Sequence, residues 1–347
     1  MRRLCARLLV VLALMAPVSA PAVASAGGHT TVTVLSRNLY LGSDLTPALA
    51  ATDAFGFLTS VAQIWGTTLF TDFPTRAGAL ADEVAAHHPD LIGLQEVSTW
   101  TVLGASPTPS LDYLAILQAQ LAARGLHYDV AAVSDNADIG PVPLVGPACS
   151  STTIGACLLR FQDRDVILVN HDRSGLSTSG ARHGTYATQQ VATTPVGSLS
   201  FRRGWATVEV ALNGHRFRFA DTHLETEDAP SVQQAQGREF LQVVKAPGAV
   251  LAVGDFNSAS DGSTTTTYAN LTSDYFRDAA SGVGATCCQT GTLTSPVSAL
   301  HTRIDLVLAH ANVQPQSAVK VGATPFQAAP PFWPSDHAGV VATLRLP

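Results

Sequence analysis

The sequence predicts a mixed α/β sandwich, and three observations support this fold class. Helical and strand patterns alternate along the chain, so that helices separate some strands whereas tight turns join others. Several apolar strands end in a polar pair, which is where α/β folds place their functional sites. Apolar residues make up 46% of the chain and charged residues only 13%, so a sizeable core is easily filled.

The N-terminus has the pattern of an export signal. Three arginines within the first seven residues precede an apolar run over 8–18, and Ala24-Ser25-Ala26 supplies the small residues that a signal peptidase reads. We therefore expect 1–26 to be a cleaved signal peptide and 27–347 to be a single catalytic domain that is secreted. The apolar run is too short to span a bilayer. An uncleaved anchor is thus the disfavoured alternative, and we expect no stable membrane anchor.

Acidic residues outnumber basic ones. The chain has 20 Lys and Arg against 26 Asp and Glu, and loss of the three signal arginines leaves a mature net charge near −9. Proteins that hold duplex nucleic acid mainly by neutralising phosphates have a basic face, which is not evident here. A bound metal ion can supply local positive charge that the side chains lack. The composition therefore disfavours tight duplex binding but is compatible with a metal-dependent enzyme.

The N-terminal half of the chain consists of predicted strands and two amphipathic helices. Alternating or short apolar runs predict strands over 31–36, 90–94, 128–133 and 165–170. Apolar residues at helical spacing predict helices over 76–87 and 111–124, which end at Pro89 and Gly125. The first two strands run directly into Arg37-Asn38 and Gln95-Glu96.

The C-terminal half contains a predicted hairpin, one helix and three buried strands. Strands are predicted over 205–212 and 216–221, and the intervening Asn213-Gly214 is a strong hairpin signal. A helix with a polar face follows over 231–245. The buried strands cover 249–253, 303–308 and 340–346. Gly, Ser, Thr and Pro dominate the segments predicted as loops, which cover 97–110, 134–155, 171–200 and 256–300.

Four cysteines remain after the predicted loss of Cys5, and an even number in an oxidising compartment favours disulfides. Cys149 and Cys157 flank a short loop. Cys287 and Cys288 are adjacent, and they either bridge each other or pair elsewhere. Three connectivities are therefore open. A zinc site is the disfavoured alternative, because neither pair has metal-ligand spacing with nearby histidines.

The polar residues that end strands supply the groups that phosphate chemistry needs. In chain order they are Asn38, Gln95-Glu96, Asp221-Thr222-His223, Asp255-Phe256-Asn257, Asp305 and Asp336-His337. Hard cations such as Mg²⁺ bind through one or two carboxylates plus substrate phosphate. Attack on a phosphate also needs a group that activates water and groups that stabilise charge on the phosphoryl oxygens. Carboxylates, an amide and two imidazoles are sufficient for this work.

These clusters resemble, in order, the motifs of the endonuclease/exonuclease/phosphatase superfamily, whose members include pancreatic deoxyribonuclease, abasic-site endonucleases, neutral sphingomyelinases and inositol polyphosphate 5-phosphatases. Each motif alone is weak, but six in sequence form a strong signal over about residues 32–346. The motifs are Arg37-Asn38-Leu39, Leu94-Gln95-Glu96-Val97, Thr222-His223-Leu224, Gly254-Asp255-Phe256-Asn257, Arg303-Ile304-Asp305 and Ser335-Asp336-His337. The resemblance implies a four-layer α/β/β/α sandwich, with two mixed β-sheets packed face to face and flanked by helices.

The resemblance also implies a metal site. Glu96 resembles the principal metal carboxylate, with Asn38 beside it as a ligand or through water, and Asp336 shares in metal binding. The implied cofactor is Mg²⁺, with Mn²⁺ or Ca²⁺ as alternatives. Some members carry an Asp two residues after the first Asn, where this chain has Tyr40. Asp44 is the nearest acid and a candidate substitute, so the number of bound metal ions, one or two, remains open.

The catalytic groups are implied in the same way. His223 resembles the imidazole that hydrogen-bonds the scissile phosphate. Asp255 resembles the carboxylate that orients or deprotonates the attacking water, and Asn257 its phosphate-binding neighbour. His337 resembles the second catalytic imidazole, with Asp305 as the carboxylate that fixes its tautomer, and an Asp–His hydrogen bond does favour imidazolium.

Two features have no single assignment. The middle strand of the family normally supplies a further acid or tyrosine near the phosphate, and the candidates within 165–173 are not separable. The basic cluster between Arg182 and Arg203 is interpreted as a solvated loop, with a phosphate clamp as the alternative.

Two classes of function compete. The first is a secreted, monomeric hydrolase that cleaves a phosphodiester, in nucleic acid or in a phospholipid head group, by metal-assisted attack of water. A phosphomonoesterase for inositol phosphates is less favoured, because such a substrate needs a dense basic pocket. The second class is a catalytically silent secreted binding module on the same fold. Its mark is loss of Glu96, His223, Asp255 or His337, and all four are present.

Overall fold

The structure, a computed structural model, describes residues 30–105, 108–146, 149 and 153–347. The predicted signal peptide at 1–26 lies outside the described residues. The described part of the chain forms six helices and sixteen strands. None of these helices is long and apolar enough to cross a membrane.

The helices are α1 (Thr46–Leu49), α2 (Ala54–Phe70), α3 (Phe73–His87), α4 (Tyr113–Ala122), α5 (Pro230–Val244) and α6 (Thr267–Thr272). The strands are β1 (Thr31–Asn38), β2 (Leu91–Gln95), β3 (Thr99–Leu103), β4 (Ser110–Asp112), β5 (Tyr128–Leu144), β6 (Cys157–Asn170), β7 (Leu176–Thr185), β8 (Gln190–Thr194), β9 (Gly197–Phe201), β10 (Gly204–Leu212), β11 (His215–His223), β12 (Ala249–Asp255), β13 (Arg277–Asp278), β14 (Asp305–His310), β15 (Gln314–Val321) and β16 (Gly339–Arg345).

The strands form two large mixed sheets and one small hairpin. The first sheet has the order β15-β16-β1-β2-β6-β3-β4, with β5 paired to β6. The second has the order β13-β14-β12-β11-β10-β7, and β8 pairs only with β9. Each large sheet contains one parallel pair, β1 with β2 and β11 with β12, and its other pairs are antiparallel.

Three buried clusters show that these elements form four layers. One cluster packs α2, α3 and α4 against the outer face of the first sheet. A second lies between the sheets and includes Val34 of β1, Val208 of β10 and Val253 of β12. The third packs Phe240 of α5 and Leu271 of α6 against the second sheet. This arrangement confirms the four-layer α/β/β/α sandwich that the resemblance implied.

The two sheets approach closely beside the functional strand ends. A Cβ atom at Gly93 of β2 would clash with the side chains of Val253 and Asp221 from the facing sheet. Across the same interface, Gln95 Nε2 donates a hydrogen bond of 2.7 Å to Asp221 Oδ1. The small residue therefore allows the carboxyl ends of β2, β11 and β12 to lie next to one another.

Side-chain caps explain where three of the helices begin. Asp53 accepts a hydrogen bond from Gly56 N at the start of α2, and Asp72 accepts one from Thr75 N at the start of α3. Asp112 accepts from two backbone amides at the start of α4. These carboxylates satisfy amides that have no partner within the first helical turn.

All four predicted loops contain regular structure, which corrects the sequence prediction, and the segment 256–300 holds α6 and β13. The segment 97–110 holds β3 and the start of β4, 134–155 holds the second half of β5, and 171–200 holds β7, β8 and most of β9. Ser, Thr and Gly have turn-forming composition, but pairing with β6 and β10 satisfies their backbone groups in a ladder. Strand pairing therefore outweighs local propensity in these segments.

Candidate active site

The predicted site residues meet at one end of the two sheets. Asn38 and Gln95 are register partners at the ends of the parallel strands β1 and β2. His223 and Asp255 are partners at the ends of β11 and β12, and Asp255 is in turn opposite Asp305, the first residue of β14. Parallel strands bring their carboxyl ends to the same sheet edge, so residues distant in sequence become neighbours.

One carboxylate oxygen, Asp255 Oδ2, links three of these strands. Asn38 Nδ2 donates to it at 3.1 Å, and His223 Nε2 lies 3.5 Å away. His337 Nε2 lies 3.7 Å from the same atom. The second Asp255 oxygen accepts a hydrogen bond of 3.0 Å from Asn257 N. The Asp255 carboxylate therefore lies between both predicted imidazoles.

Asn38 joins Asp255 to Glu96. Its amide nitrogen also donates to Glu96 Oε1 at 3.1 Å, while its oxygen accepts from Tyr40 N at 2.9 Å. The backbone donor fixes the amide orientation, because the nitrogen of the amide could not accept that hydrogen bond. Leu41 N donates to the other Glu96 oxygen at 2.6 Å. Asn38 thus holds two carboxylates close together.

His337 is oriented by Asp305. Nδ1 of His337 lies 2.9 Å from Asp305 Oδ2, and both side chains are buried. Arg37 reaches the backbone of the same histidine, donating from Nη1 to its carbonyl oxygen at 2.5 Å, while its other nitrogens form a bidentate ion pair with Glu83 of α3. The ring and the backbone of His337 are therefore both held in place.

His223 has a cation on its other side. Arg203 Nη1 lies 2.9 Å from Nδ1 and 3.1 Å from Nε2 of His223, and Arg203 also pairs with Glu225 at 3.6 Å. The imidazole is thus enclosed between a guanidinium group and the Asp255 carboxylate.

The two imidazoles have opposite pKa shifts. Burial, Arg203 and His337 together lower the pKa of His223 well below its ordinary value. Burial also opposes charge on His337, but the carboxylates of Asp305, Asp255 and Asp336 outweigh it and raise its pKa. A neutral and a charged imidazole therefore flank the same carboxylate at neutral pH, which is a way of separating acid and base roles.

Two carboxyl groups of the site have raised pKa values. Burial, together with Asp305 and Glu96, raises the pKa of Asp255 to about 7, although His337 opposes the shift. Burial and Glu96 raise the pKa of Asp336 to about 6. A carboxylate with a pKa near 7 can accept a proton from water efficiently at neutral pH.

These residues line an open cleft of about 370 Å³. Its walls are formed by Glu96, Arg203, His223, Thr226, Glu227, Asp228, Asp255, Asn257, Cys287, Cys288, His301, Thr302, Ile304 and His337. Arg203 is the one Lys or Arg side chain among these lining residues. The cleft therefore offers one fixed cation, several imidazoles and an excess of carboxylates.

Left-handed backbone follows three of the strand ends. Tyr40 has φ 61°, Glu96 has φ 55° and Asn257 has φ 47°. This conformation is uncommon for residues other than glycine, asparagine and aspartate, and such residues cluster at functional sites. The turn after each strand redirects these side chains, and Glu96 and Asn257 line the cleft.

A buried arginine connects the loops around the site. Arg76 of α3 donates to the backbone carbonyl oxygens of Leu39, Tyr40, Thr71 and Pro334. It therefore ties the segment after β1 to the segment that leads into His337.

The donor set suits a hard divalent cation. Glu96 and Asp255 offer carboxylate oxygens to the cleft, where Glu227 and Asp228 add further negative charge. Mg²⁺ uses one or two carboxylates and completes its coordination with water and phosphate. Among the described residues, the tight three-ligand groups of His, Cys, Asp and Glu include neither Glu96 nor Asp336. A cation held by Glu96 would thus keep positions for substrate.

Most of the sequence matches one protein family. Residues 64–337 match the Endonuclease/Exonuclease/phosphatase family. The chain belongs to this family. No curated protein matches the sequence significantly.

Solved structures show the same fold at low sequence identity. An endonuclease/exonuclease/phosphatase from Beutenbergia cavernae has a TM-score of 0.55 and 21% identity, covering 91% of this chain and 72% of that one. D. rerio TDP2 complexed with single strand DNA product has a TM-score of 0.55 and 16% identity, with 91% and 99% covered. A Bacteroides thetaiotaomicron mannosyl-6-phosphatase has a TM-score of 0.52 and 15% identity, with 90% and 99% covered.

Most of the residues assigned from the family resemblance come together. Asn38, Glu96, His223, Asp255 and His337 lie in one linked group, as described above. Three further residues complete the comparison: Asn257, Asp305 and Asp336. Asp305 contacts His337 directly. Asn257 lines the cleft but donates its side-chain amide to Leu224 O at 3.0 Å. Asp336 interacts electrostatically with Glu96 and His337 without lining the cleft.

Asp44 does not substitute for the acid that is missing at position 40. Its side chain is exposed, and Oδ1 accepts a hydrogen bond of 2.8 Å from Thr46 N next to α1. It does not line the cleft. Asp44 therefore stabilises a turn, which is a common use of aspartate.

Sequence reasoning missed the buried acid Asp163 on β6 and left its neighbour Asp165 among several candidates. Asp163 and Asp165 lie with His223 in a group whose ligand atoms are within 4.8 Å of one another. Burial and Glu96 raise the pKa of Asp163 to about 7, and burial and Asp163 raise that of Asp165. The amide of Asn136 lies close to both, although Asp165 makes no hydrogen bond of normal geometry among the described residues. Both are acids of this middle strand, and they lie beside His223.

Arg203 was also left without a specific role by the sequence. The prediction of a solvated loop is wrong for this residue, whose side chain is only 15% exposed and contacts His223. Arg182 and His183 instead lie on the exposed strand β7. No motif marked Arg203, because its place in the site results from the pairing of β10 with β11.

The cysteines adopt one of the three open connectivities. Cys149 bridges Cys157, and Cys287 bridges Cys288. The sequence argument against histidines near the second pair does not hold in the fold, because Cys288 Sγ lies 3.8 Å from His337 Nε2.

Proposed function

We propose that this family member is a divalent-metal-dependent phosphodiesterase that is secreted and acts on nucleic acid or a phospholipid head group. The observation that carries the proposal is the position of Asp255 Oδ2, which lies within hydrogen-bonding or ion-pairing distance of Asn38, His223 and His337. A carboxylate between two imidazoles and beside a second carboxylate can activate water and stabilise charge on phosphoryl oxygens, which supports hydrolysis of a phosphoester.

The residues of the cleft divide the chemical work among them. Asp255, with its pKa near 7, orients the attacking water and takes its proton. His337, kept charged by Asp305, and Arg203 stabilise the negative charge that develops on the phosphoryl oxygens. His223 donates a hydrogen bond to the phosphate in its neutral form. Asn38 donates hydrogen bonds to both Glu96 and Asp255 and so holds their carboxylates close together.

A divalent cation would be held by Glu96, with Asp336 nearby. When bound, it would polarise the phosphate and neutralise charge on the leaving oxygen. The same positive charge would compensate for the acidic residues that otherwise repel a phosphate from the cleft.

The charge of the cleft favours a substrate with a single reacting phosphate. Arg203 is the one Lys or Arg side chain among the lining residues, whereas Glu227 and Asp228 add negative charge at the wall. A polyphosphorylated inositol would need several fixed cations. A phosphodiester, which carries one charge, suits the cleft better.

Secretion of a single catalytic domain over 27–347 is part of the proposal. It is supported by the export pattern of the first 26 residues and by two disulfides, which persist in oxidising compartments. N-terminal sequencing of protein recovered from the culture medium tests it. The expected mature chain starts at Gly27.

The catalytic proposal is tested by incubating purified protein with DNA, RNA, sphingomyelin and phosphoinositides, in Mg²⁺, Mn²⁺ or Ca²⁺ and in EDTA. We expect metal-dependent cleavage of a diester. Glu96→Gln and His337→Ala should each lower turnover by about 10²-fold or more, as loss of a metal carboxylate or a catalytic imidazole does.

Matched controls separate catalysis from folding. Asp44→Asn removes an exposed acid outside the cleft, and His127→Ala removes an exposed histidine that pairs with Asp172. Both should retain turnover, and all four variants should unfold at nearly the same temperature as the wild type. Turnover that survives both Glu96→Gln and His337→Ala would refute the site, and failure to cleave any substrate would favour a binding module.

A further inference from the structure

Cys287 and Cys288 form part of the cleft wall next to a catalytic histidine. Both line the cleft, and Cys288 Sγ lies 3.8 Å from His337 Nε2. The two cysteines are joined by a disulfide. The other disulfide joins Cys149, in the segment after β5, to Cys157 at the start of β6 and lines no part of this cleft. The adjacent pair thus has a location that a purely structural bridge does not need.

The three side chains are close enough to share one cation once the bonded sulfurs separate. One ligand atom each from Cys287, Cys288 and His337 lies within 4.8 Å of the others. In a tetrahedral zinc centre, a sulfur at about 2.3 Å and a nitrogen at about 2.0 Å from the metal are about 3.5 Å apart. The observed 3.8 Å between Cys288 Sγ and His337 Nε2 is close to that separation. Two thiolates and an imidazole form a donor set that zinc prefers.

The orientation of His337 matches that of a metal ligand. Its Nδ1 atom contacts Asp305 Oδ2 at 2.9 Å, so Nε2 is the atom directed towards the sulfurs and the cleft. Metal-binding histidines commonly have a carboxylate on the second nitrogen, because it fixes the ring and strengthens the ligand. A fourth position is open to water or to Asp255 Oδ2, which lies 3.7 Å from Nε2.

We propose that Cys287, Cys288 and His337 form a site for a thiophilic cation such as Zn²⁺, and that reduction of the vicinal disulfide opens it. Reduction adds two electrons and two protons to the disulfide and yields two thiols. A dithiol reductant becomes a disulfide, whereas a phosphine takes oxygen from water and becomes a phosphine oxide. Zn²⁺ then displaces both thiol protons, and any proton on Nε2, and binds the two thiolates and the imidazole.

Metal binding at this site removes His337 from the phosphate. Nε2 is the atom that faces the substrate cleft, and an atom bound to zinc no longer donates a hydrogen bond. The oxidised protein therefore keeps its catalytic imidazole, whereas the reduced protein loses it when zinc is present. The inhibition rests on the proposed function, but the metal site itself does not.

Zinc stoichiometry tests the site without any need for turnover. The full chain is dialysed against Zn²⁺ in excess Mg²⁺, both oxidised and after reduction with a phosphine, and bound zinc is counted. We expect the reduced protein to hold one more zinc per chain than the oxidised protein. Cadmium should give thiolate charge-transfer absorption in the reduced form only. Asp305→Asn should weaken zinc binding by about 10- to 100-fold, the usual effect of losing such a partner.

Two double variants provide the matched comparison. Cys149→Ser with Cys157→Ser removes the remote bridge and should keep the reduction-dependent zinc, whereas Cys287→Ser with Cys288→Ser should lose it. Equal zinc in both redox states, or zinc that persists without Cys287 and Cys288, would overturn the proposal. Circular dichroism of the first variant gives another check, because unfolding on reduction would show that the vicinal bridge is a structural staple. Zinc binding without turnover in either state would instead count against the proposed function alone.

Discussion

Asp255 illustrates how much of the site depends on individual atoms. Its Oδ2 atom contacts residues from β1, β11 and the segment before β16, and its Oδ1 atom accepts from the backbone of Asn257. The residue types and their order were readable from the sequence because most of them follow an apolar strand, whereas His337 precedes one. The contacts between them were not, since they depend on strand order and register. The charged groups of the site give two predictions at the scale of single residues.

The first concerns the pH dependence of turnover. Burial lowers the pKa of His337, but Asp305 and two other carboxylates raise it. The net shift is upward. Asp305→Asn removes an upward contribution, so the protonated imidazole is lost at lower pH. We expect the basic limb of kcat/KM to move to lower pH and the maximum rate to fall by about 10²-fold. Asp278→Asn, which removes another buried carboxylate near β14, should leave the limb in place. An unmoved basic limb in Asp305→Asn would mean that another group titrates.

The second concerns the pH dependence of stability. The pKa of Asp163 is raised to about 7 in the folded protein by burial and Glu96. A carboxyl whose pKa is higher when folded binds more protons in that state, so stability falls as pH rises from about 4 to about 7. Asp163→Asn replaces the titrating carboxyl with a neutral amide and so removes this loss of stability at high pH. The substitution should therefore raise the melting temperature in EDTA more at pH 8 than at pH 4.5. Asp135→Asn, an exposed acid on β5, serves as control. A larger gain at the lower pH would refute the assigned shift.

The elements differ in how far sequence patterns predict them. β2, β11 and β12 carry strong periodic or apolar signals and were predicted within a few residues. α2 was missed although its buried positions 57, 61, 64, 65 and 68 have helical spacing, because Gly, Ser and Thr dilute the pattern. β7 is mostly exposed and rich in Ser and Gly, so only its pairing with β10 makes it a strand. Long-range pairing is the information that a local pattern lacks.

The same limit explains the missing acid on β6. The prediction began this strand at residue 165, although Leu159, Phe161 and Asp163 are alternate buried positions of one longer strand. Burying an acid on the inner side of a strand costs free energy unless the carboxylate is paired or hydrogen-bonded. Extending the alternation two residues further back would have identified Asp163 as a candidate.

Helix α3 stabilises the site through Arg76, which leads to an element-scale prediction. Arg76→Met keeps much of the buried volume but removes donors to four backbone carbonyls. Each buried carbonyl left without a partner costs about 1–3 kcal/mol, so we expect the free energy of unfolding to fall by about 3 kcal/mol or more. Arg124→Met removes a partly exposed arginine that pairs with Asp82 of α3 and donates to the carbonyl oxygens of Gly78 and Gln120, and it should cost less because these groups are only partly buried. Urea denaturation of both variants measures the difference, and equal losses would refute the role of Arg76.

At the scale of the whole molecule, the fold class was predicted from six short motifs, whereas the substrate was not. The four layers bring two parallel strand pairs to one edge, and every family-assigned residue lies at or near it. Substrate choice depends on the loops around the cleft, whose Ser, Thr and Gly residues carry little chemical information. The neighbouring structures include both a DNA-product complex and a sugar phosphatase, so the fold does not choose either.

The overall charge gives a prediction about salt. The chain has a net charge of −6, and Arg203 is the one Lys or Arg side chain that lines the cleft. If nucleic acid is the substrate, log kcat/KM should fall with log salt concentration with a slope of about −1, since each neutralised phosphate contributes about −0.9. A steep slope of about −4 or beyond would reveal a basic surface that this account lacks.

The central claim is that the strand-end residues surround one cation and one phosphate. A crystal structure of the protein soaked with Mn²⁺ and phosphate, with the metal located by anomalous scattering, tests it most directly. The account predicts manganese bound to a Glu96 oxygen at about 2.1 Å, the distance typical of small hard cations. It also predicts phosphate oxygens in contact with His223 and His337. Manganese that is not coordinated by Glu96, or phosphate bound away from both imidazoles, would contradict the account.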